Sequence, residues 1–255
     1  MIRAVFFDVD GTLYDAAHNA VPDSTFDALE RLKRRGVLRV ICTGRHPVEL
    51  ENLPLAAVDF DAYITLNGQL CCDRDGALLF GEPLVGAGKR RLVELFESRS
   101  MPLLLMERDR TYLNVSSPRV EKLMRDYSLT ETPIDTYRGG ELYQAVAFLT
   151  REEEHLLAPL PDCKPARWNE LALDVVSARG GKAAGLARYL RLLGLDPTQA
   201  MAVGDGENDT EMLAFAGIGV AMGNAHVSAK AAADYVTGDF YANGLAAALE
   251  RYGLI

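Results

Sequence analysis

The stretch Ala4-Val5-Phe6-Phe7-Asp8-Val9-Asp10-Gly11-Thr12 decides how the rest of the chain is read. Ala4 to Phe7 is a short apolar run of the kind a buried strand carries, and it leads straight into two carboxylates and a glycine. While the chain stays extended, Asp8 and Asp10 point to one face and Val9 to the other. Two carboxylates held side by side repel, so the pair is costly unless a cation or a shared proton lies between them. Gly11 lets the backbone turn away tightly, and Thr12 can bond within the turn. Taken alone, the stretch is equally a strand end capped by solvated turn acids.

The same punctuation recurs along the chain. Phe26, Leu29 and Leu32 stand at helical spacing; Asp23 or Ser24 is placed to cap that helix and Gly36 to end it. Val37 to Cys42 is a second apolar strand, running into Thr43-Gly44-Arg45, and a short helix is expected after Pro47. Ala62 to Leu66 is a third strand, running into Asn67-Gly68. Strand and helix in alternation make a parallel sheet with crossover helices, whose ligands bind at the C-terminal strand ends. Gln69 to Phe80 reads as a hairpin turning at Arg74-Asp75-Gly76.

From residue 81 to 179 the rhythm differs. Helices are expected at Lys89–Arg99, Pro118–Tyr127 and Arg151–Leu157, with strands at Leu103–Met106, Thr111–Val115, Leu142–Leu149 and Leu171–Val175. Parallel-sheet grammar then resumes: a helix from Lys182 to Leu193, a strand from Ala200 to Val203, and a helix from near Asn208 to Ala216. A strand from Ile218 to Met222, a helix at 228–233, a short Tyr235-Val236 strand and a final helix to Tyr252 follow. The expected fold class is α/β: a Rossmann-like parallel-sheet core built from residues 1–80 and 180–255, with an α+β domain, residues 81–179, inserted into it.

Composition narrows the function classes. The 255 residues are 49% hydrophobic and 25% charged, ordinary for a globular protein, and the net charge of −9 argues against non-specific binding to nucleic acid or an anionic membrane. Cys42, Cys71, Cys72 and Cys163 show neither a C-x-x-C pair nor metal spacing with the four histidines, so free thiols in the cytoplasm are expected. Asp8 interrupts the apolar start too early for a signal peptide, and no run approaches the roughly 20 apolar residues of a membrane span. The oligomeric expectation is a monomer or homodimer.

Four polar clusters stand at strand ends or helix starts of one sheet: Asp8/Asp10, Thr43-Gly44, Lys182, and Asp205/Asn208/Asp209. Each alone reads as a turn, a cap or a solvated lysine. Together and in this order they resemble the haloacid dehalogenase superfamily of phosphohydrolases, in its Cof-like type IIB branch. The matching residues are Phe-Phe-Asp-Val-Asp-Gly-Thr-Leu at 6–13, Ile-Cys-Thr-Gly-Arg at 41–45 and Thr-Leu-Asn-Gly-Gln at 65–69. Lys182, Val-Gly-Asp-Gly-Glu-Asn-Asp-Thr-Glu-Met-Leu at 203–213 and Ala-Gly-Ile-Gly-Val-Ala-Met-Gly-Asn-Ala at 216–225 complete them. One departure stands out: the branch usually places glycine after the lysine, whereas here Gly180-Gly181 precede Lys182 and Ala183 follows.

The resemblance implies a Mg²⁺-dependent phosphatase for small phosphate monoesters, sugar phosphates or phosphorylated cofactors, with the inserted domain as a cap that selects the leaving group. It implies Asp8 as the nucleophile and Asp10 as the acid and base. Thr43, Gly44, Lys182 and Asn208 would bind phosphate. Asp8, the Asp10 backbone carbonyl and Asp205 would hold the metal, and Asp209 would hold either the metal or Lys182. Charge supports the scheme: Asp8, Asp205, Asp209 and a phosphate monoester carry about −5, against about +3 from Mg²⁺ and Lys182. Arg45 is placed either to contact substrate or to pair with an acid such as Glu49. Asn67 and Gly68 are expected to shape the junction of core and cap, with Pro83 and Gly180-Gly181 near the crossings. Arg108, Arg110, Trp168, Asn169 and Asp174 are open between a specificity role and surface or packing roles. A phosphomutase of the same superfamily and a receiver-like phospho-signalling module are the rival readings.

Overall fold

The structure is a computed structural model that describes residues 1–127 and 132–255. Eight strands make the first sheet: β1 (Ala4–Phe7), β2 (Leu38–Cys42), β3 (Ala62–Thr65), β4 (Leu70–Asp73), β5 (Leu78–Gly81), and, far along the chain, β11 (Ala200–Gly204), β12 (Ile218–Ala221) and β13 (Tyr235–Val236). Their order is β13-β12-β11-β1-β2-β3-β4-β5. The six strands from β13 to β3 are parallel, and β4 and β5 add an antiparallel edge. This is the α/β architecture expected from the alternation.

β1 lies inside the sheet between β11 and β2, and all four of its residues are buried. A strand covered on both faces needs no polar alternation, which is why it reads as a continuous apolar run. Phe6 meets Tyr189 edge to face at 6.1 Å between ring centres. Tyr189 belongs to α5 (Lys182–Leu193), which packs on α6 (Thr210–Phe215), and α6 in turn packs on α7 (Val227–Ala232). The other helical layer pairs α1 (Asp23–Arg34) with α8 (Gly244–Arg251). α1 differs from expectation at its start: Pro22 takes the cap position, with no side-chain cap bond, and Asp23 is the first helical residue. Proline's fixed φ suits the entry to a helix, and Asp23 there faces the positive end of the dipole.

The second sheet is antiparallel, with the order β7-β6-β8-β10-β9: β6 (Leu103–Met106), β7 (Thr111–Leu113), β8 (Gln144–Ala147), β9 (Cys163–Asn169) and β10 (Ala172–Ser177). Its two faces separate cleanly by residue parity. Leu103, Leu105, Ala145, Ala147, Leu173 and Val175 join Leu92, Leu95 and Phe96 of α3 (Gly86–Ser98) in one apolar cluster. Leu104, Met106, Val146 and Phe148 face the other way, with Val120 and Leu123 of α4 (Pro118–Asp126). The expected helix over Arg151–Leu157 is a single 3₁₀ turn, Glu154–Leu157, and β9 was not expected at all.

The chain crosses between the two sheets after β5 and before α5. Glu82, 8% exposed, stitches the two crossings together. Its Oε1 accepts from Ser177 Oγ at 3.4 Å and pairs with Arg179 at 2.8 Å, and its Oε2 accepts from Arg188 of α5 at 2.6 Å. Its backbone carbonyl accepts from Gln69 Nε2 at 2.8 Å.

Candidate active site

The polar residues after β1, β2 and β11 converge because parallel strands end on the same edge. Asp8 sits one residue beyond β1, 5% exposed, with its N–H donating to Val203 O of β11 at 2.9 Å. Gly11 has φ +75°, and a Cβ there would fall 2.2 Å from Asp205 Oδ2. Only glycine lets this turn approach the carboxylate so closely. Thr12 Oγ1 donates to Asp205 Oδ1 at 3.3 Å, and Asn224 Nδ2 to Asp205 Oδ2 at 3.4 Å.

Lys182 is the first residue of α5 and its side chain is buried. Gly181 before it has φ +111°, a conformation that favours glycine, so the glycines preceding the lysine set its approach. The ammonium donates to Asp8 Oδ1 and to Asp209 Oδ1, both at 2.6 Å. Burial disfavours its charged form, but Asp209 and Asp8 outweigh that and raise its pKa. Asp209 is fully enclosed. Its Oδ2 accepts from the N–H groups of Asp205 and Gly206 at 3.0 and 2.8 Å, so one carboxylate shapes the loop and anchors Lys182. The expected helix from Asn208 is a 3₁₀ turn, Glu207–Asp209, leading into α6.

Carboxylate oxygens of Asp8, Asp205 and Asp209 lie within 4.8 Å of one another. Burial, the charge of Asp209 and then Asp10 push Asp8 up to about 7 against the opposing pull of Lys182. Burial and the charges of Asp8 and Asp209 likewise hold Asp205 well above the ordinary carboxylate range. Hard oxygen donors gathered against their own repulsion fit a divalent cation of the Mg²⁺ type.

Arg45 pairs with Asp10 rather than with Glu49. Its Nε and Nη2 donate to Asp10 Oδ2 and Oδ1, both at 2.7 Å, and Nη2 also donates to Tyr127 O, at the end of α4, at 3.0 Å. Glu49 instead caps a helix, α2 (Pro47–Leu50), accepting from His46 N at 2.7 Å. The fork on Asp10 fixes that carboxyl in plane and joins it to the second sheet. Thr43, 1% exposed, lies in the turn after β2, where its Oγ1 accepts from Arg45 N at 3.2 Å.

Asn67 is the hub that sequence reasoning placed only at the junction. It stands in left-handed backbone (φ 51°, ψ 44°) directly after Leu66, which also has positive φ. Its Oδ1 accepts from Asn208 Nδ2 at 3.1 Å. Its Nδ2 donates to Asp174 Oδ2 at 2.5 Å and to Gln144 Oε1 at 3.0 Å. Gln144 Nε2 closes the circuit on Gly44 O at 3.2 Å, and Trp168 Nε1 donates to Asp174 Oδ1 at 2.9 Å. Asn208 lines the cavity and is held there by Asn67.

These residues line one cavity of about 440 Å³ between the two sheets. Asp8, Asp10, Thr43, Gly44, Arg45, Asp205 and Asn208 form its floor, and Leu104, Met106, Gln144, Val146, Phe148 and Asp174 its roof. Trp168 and Asn169 line it as well. Of the other two open positions, Arg110 is held by Glu107 and Asp135 and stacks on Tyr112, while Arg108 lines a separate cleft. Asp174 had a legible signal, a lone acid within the apolar run Leu171 to Val176. Gln144 had none.

Known proteins resemble this chain in sequence and fold. The chain is 33% identical over 258 residues to the Bacillus subtilis (strain 168) protein "Putative phosphatase YkrA", covering 99% of this chain and 98% of that one. It is 29% identical to the HMP-PP phosphatase of Escherichia coli (strain 55989 / EAEC) over 88% of this chain and 85% of the relative. Its structure superimposes on the HAD subclass IIB sugar phosphatase BT4131 with a TM-score of 0.92 and 31% identity, over 99% of this chain and 100% of the other. A family profile described as haloacid dehalogenase-like hydrolase matches residues 5–249. The chain belongs to the haloacid dehalogenase-like hydrolase family.

Proposed function

We propose that this enzyme hydrolyses small phosphate monoesters with Mg²⁺, through an aspartyl-phosphate formed on Asp8. The observation that carries the reading is the buried Asp8 carboxylate, held by Lys182 and facing Asp205 on the floor of the cavity between the two sheets. Asp8, the Asp10 carbonyl and Asp205 would hold the cation, with Asp209 fixing Lys182 and the loop. When bound, the cation would supply positive charge against the Asp8 carboxylate and the phosphoryl group. Asp8 attacks phosphorus as the bond to the alcohol oxygen breaks, and Asp10 gives its proton to that leaving oxygen. Water then attacks phosphorus, Asp10 takes its proton, and the bond to Asp8 breaks to release inorganic phosphate. Thr43, the Gly44 amide and Lys182 stabilise the transferring group, and Asn208 supports it from the edge. Residues 81–179 act as the cap that excludes water and meets the alcohol. Four free cysteines support a cytoplasmic setting. Among the described residues, no helix is long and apolar enough to cross a membrane.

A phosphomutase must also hold a second phosphate, and Arg45 is the only basic side chain among the described residues that line the cavity. The site therefore favours the phosphatase. The test is phosphate release from a panel of small monoesters with and without Mg²⁺, expected to fall at least about tenfold when the cation is chelated while the fold persists. Equal release without any divalent cation contradicts the reading. Arg45→Lys removes the fork on Asp10, so kcat is expected to drop about 10- to 100-fold with a smaller change in KM. Steady-state kinetics check this, and an unchanged kcat would remove Arg45 from the positioning of Asp10.

A further inference from the structure

Resting on that phosphatase reading, we propose that the cavity selects esters by the charge of the alcohol. It takes monoesters whose leaving group is uncharged or cationic and rejects those bearing a second anionic group, and Asp174 is the specificity-determining residue.

Beyond the metal cluster, the cavity is lined by the carboxyl groups of Asp10, Asp15, Glu49, Asp126 and Asp174. Arg45 is the single basic side chain lining it among the described residues, and its Nε and Nη2 are already engaged by Asp10. Arg45 Nη1 is buried without a hydrogen-bond partner. Lys182 is matched twice over, by Asp8 and Asp209. Among the described residues, no second basic side chain lines the cavity to meet a second phosphate or a carboxylate.

Asp174 makes the bias specific. It is 3% exposed, and its side-chain hydrogen-bond partners, Asn67 and Trp168, are neutral donors. Each carboxylate oxygen keeps a lone pair for a hydroxyl or an ammonium group of the alcohol. Burial pushes it up to about 7, and in either protonation state it supplies no positive charge. The roof around it, Leu104, Met106, Val146 and Phe148, is apolar, so charges there interact across a medium that screens them poorly.

The experiment compares kcat/KM with Mg²⁺ for matched esters: a hexose monophosphate, a hexosamine monophosphate, an aldonate monophosphate and a hexose bisphosphate. An aryl phosphate reports the catalytic centre itself, and inhibition of its turnover ranks any ester that is not cleaved. The hexose and hexosamine esters are expected to exceed the aldonate and bisphosphate by about tenfold or more. Asp174→Asn is expected to narrow that ratio, and Asn169→Lys, which adds a cation at a half-buried lining position, to narrow or reverse it. Wild type that prefers the anionic esters, or treats them equally, overturns the proposal. Variants that lower all esters alike with the ratio unchanged overturn the role of Asp174. Absence of Mg²⁺-dependent release from the aryl phosphate is a different failure, that of the phosphatase reading.

Discussion

Asp8→Asn is expected to abolish turnover, lowering kcat by about 10⁴-fold or more. The amide keeps the shape of the carboxylate, and the backbone bond from residue 8 to Val203 O is untouched, but the amide cannot form an aspartyl-phosphate. The variant also sheds a negative charge beside Asp205 and Asp209, so its melting temperature should hold or rise. Kinetics and thermal unfolding on the same preparation check both halves. In wild type, rapid acid quench with labelled ester should trap phosphate on Asp8 and on no other residue. A variant within tenfold of wild-type activity would require a different nucleophile.

Lys182→Ala is expected to lower kcat by about 10²- to 10³-fold and to destabilise the metal-free protein by about 3–5 kcal/mol at neutral pH. Removing the ammonium leaves Asp8 and Asp209 buried against each other without the cation they share. The pH dependence has a definite sign. Asp8 already stands at about 7, above its unfolded value, and losing Lys182 raises it further. A carboxyl with a raised folded pKa costs nothing below its unfolded pKa, near 4, and costs stability increasingly above it. Below about 7 the Asp8 carboxyl is protonated in both folded proteins, so its part of the deficit relative to wild type should open above about 7 and grow as pH rises. Mg²⁺ should recover part of it by binding the folded state. Urea unfolding at two pH values, with and without Mg²⁺, measures this; a pH-independent deficit would assign the loss to packing alone.

The floor of the candidate site was legible because its residues follow strands in a parallel sheet, where position along the chain fixes position in space. Asp8, Thr43 and Asp205 each stand directly after an apolar run, and Lys182 opens a helix. What escaped depends on contacts between distant segments. The pairing of Arg45 with Asp10 needed the turn after β1 to fold back toward β2, and Asn67, Gln144 and Asp174 meet only when the two sheets face each other. β9 escaped for a local reason: Lys164, Pro165 and Arg167 spoil the apolar pattern. It is an edge strand, where proline is tolerated and charge discourages further pairing. The helix expected at Arg151–Leu157 shrank to one turn because Pro159 lies just beyond it.

Glu82 has a consequence for how such enzymes diversify. Because it binds the outgoing and returning strands of chain to each other and to Arg188, the two crossings are tied at one point to α5. Mutations between residues 86 and 177 that spare Gln144 and Asp174, which bond to Asn67, leave this tie in place. If the two segments have the roles proposed above, the one that would make phosphorus reactive and the one that would choose the alcohol can evolve at different speeds. Exchanging the second for that of a relative, with Glu82, Ser177, Arg179 and Arg188 kept, would graft a new appetite onto an old engine.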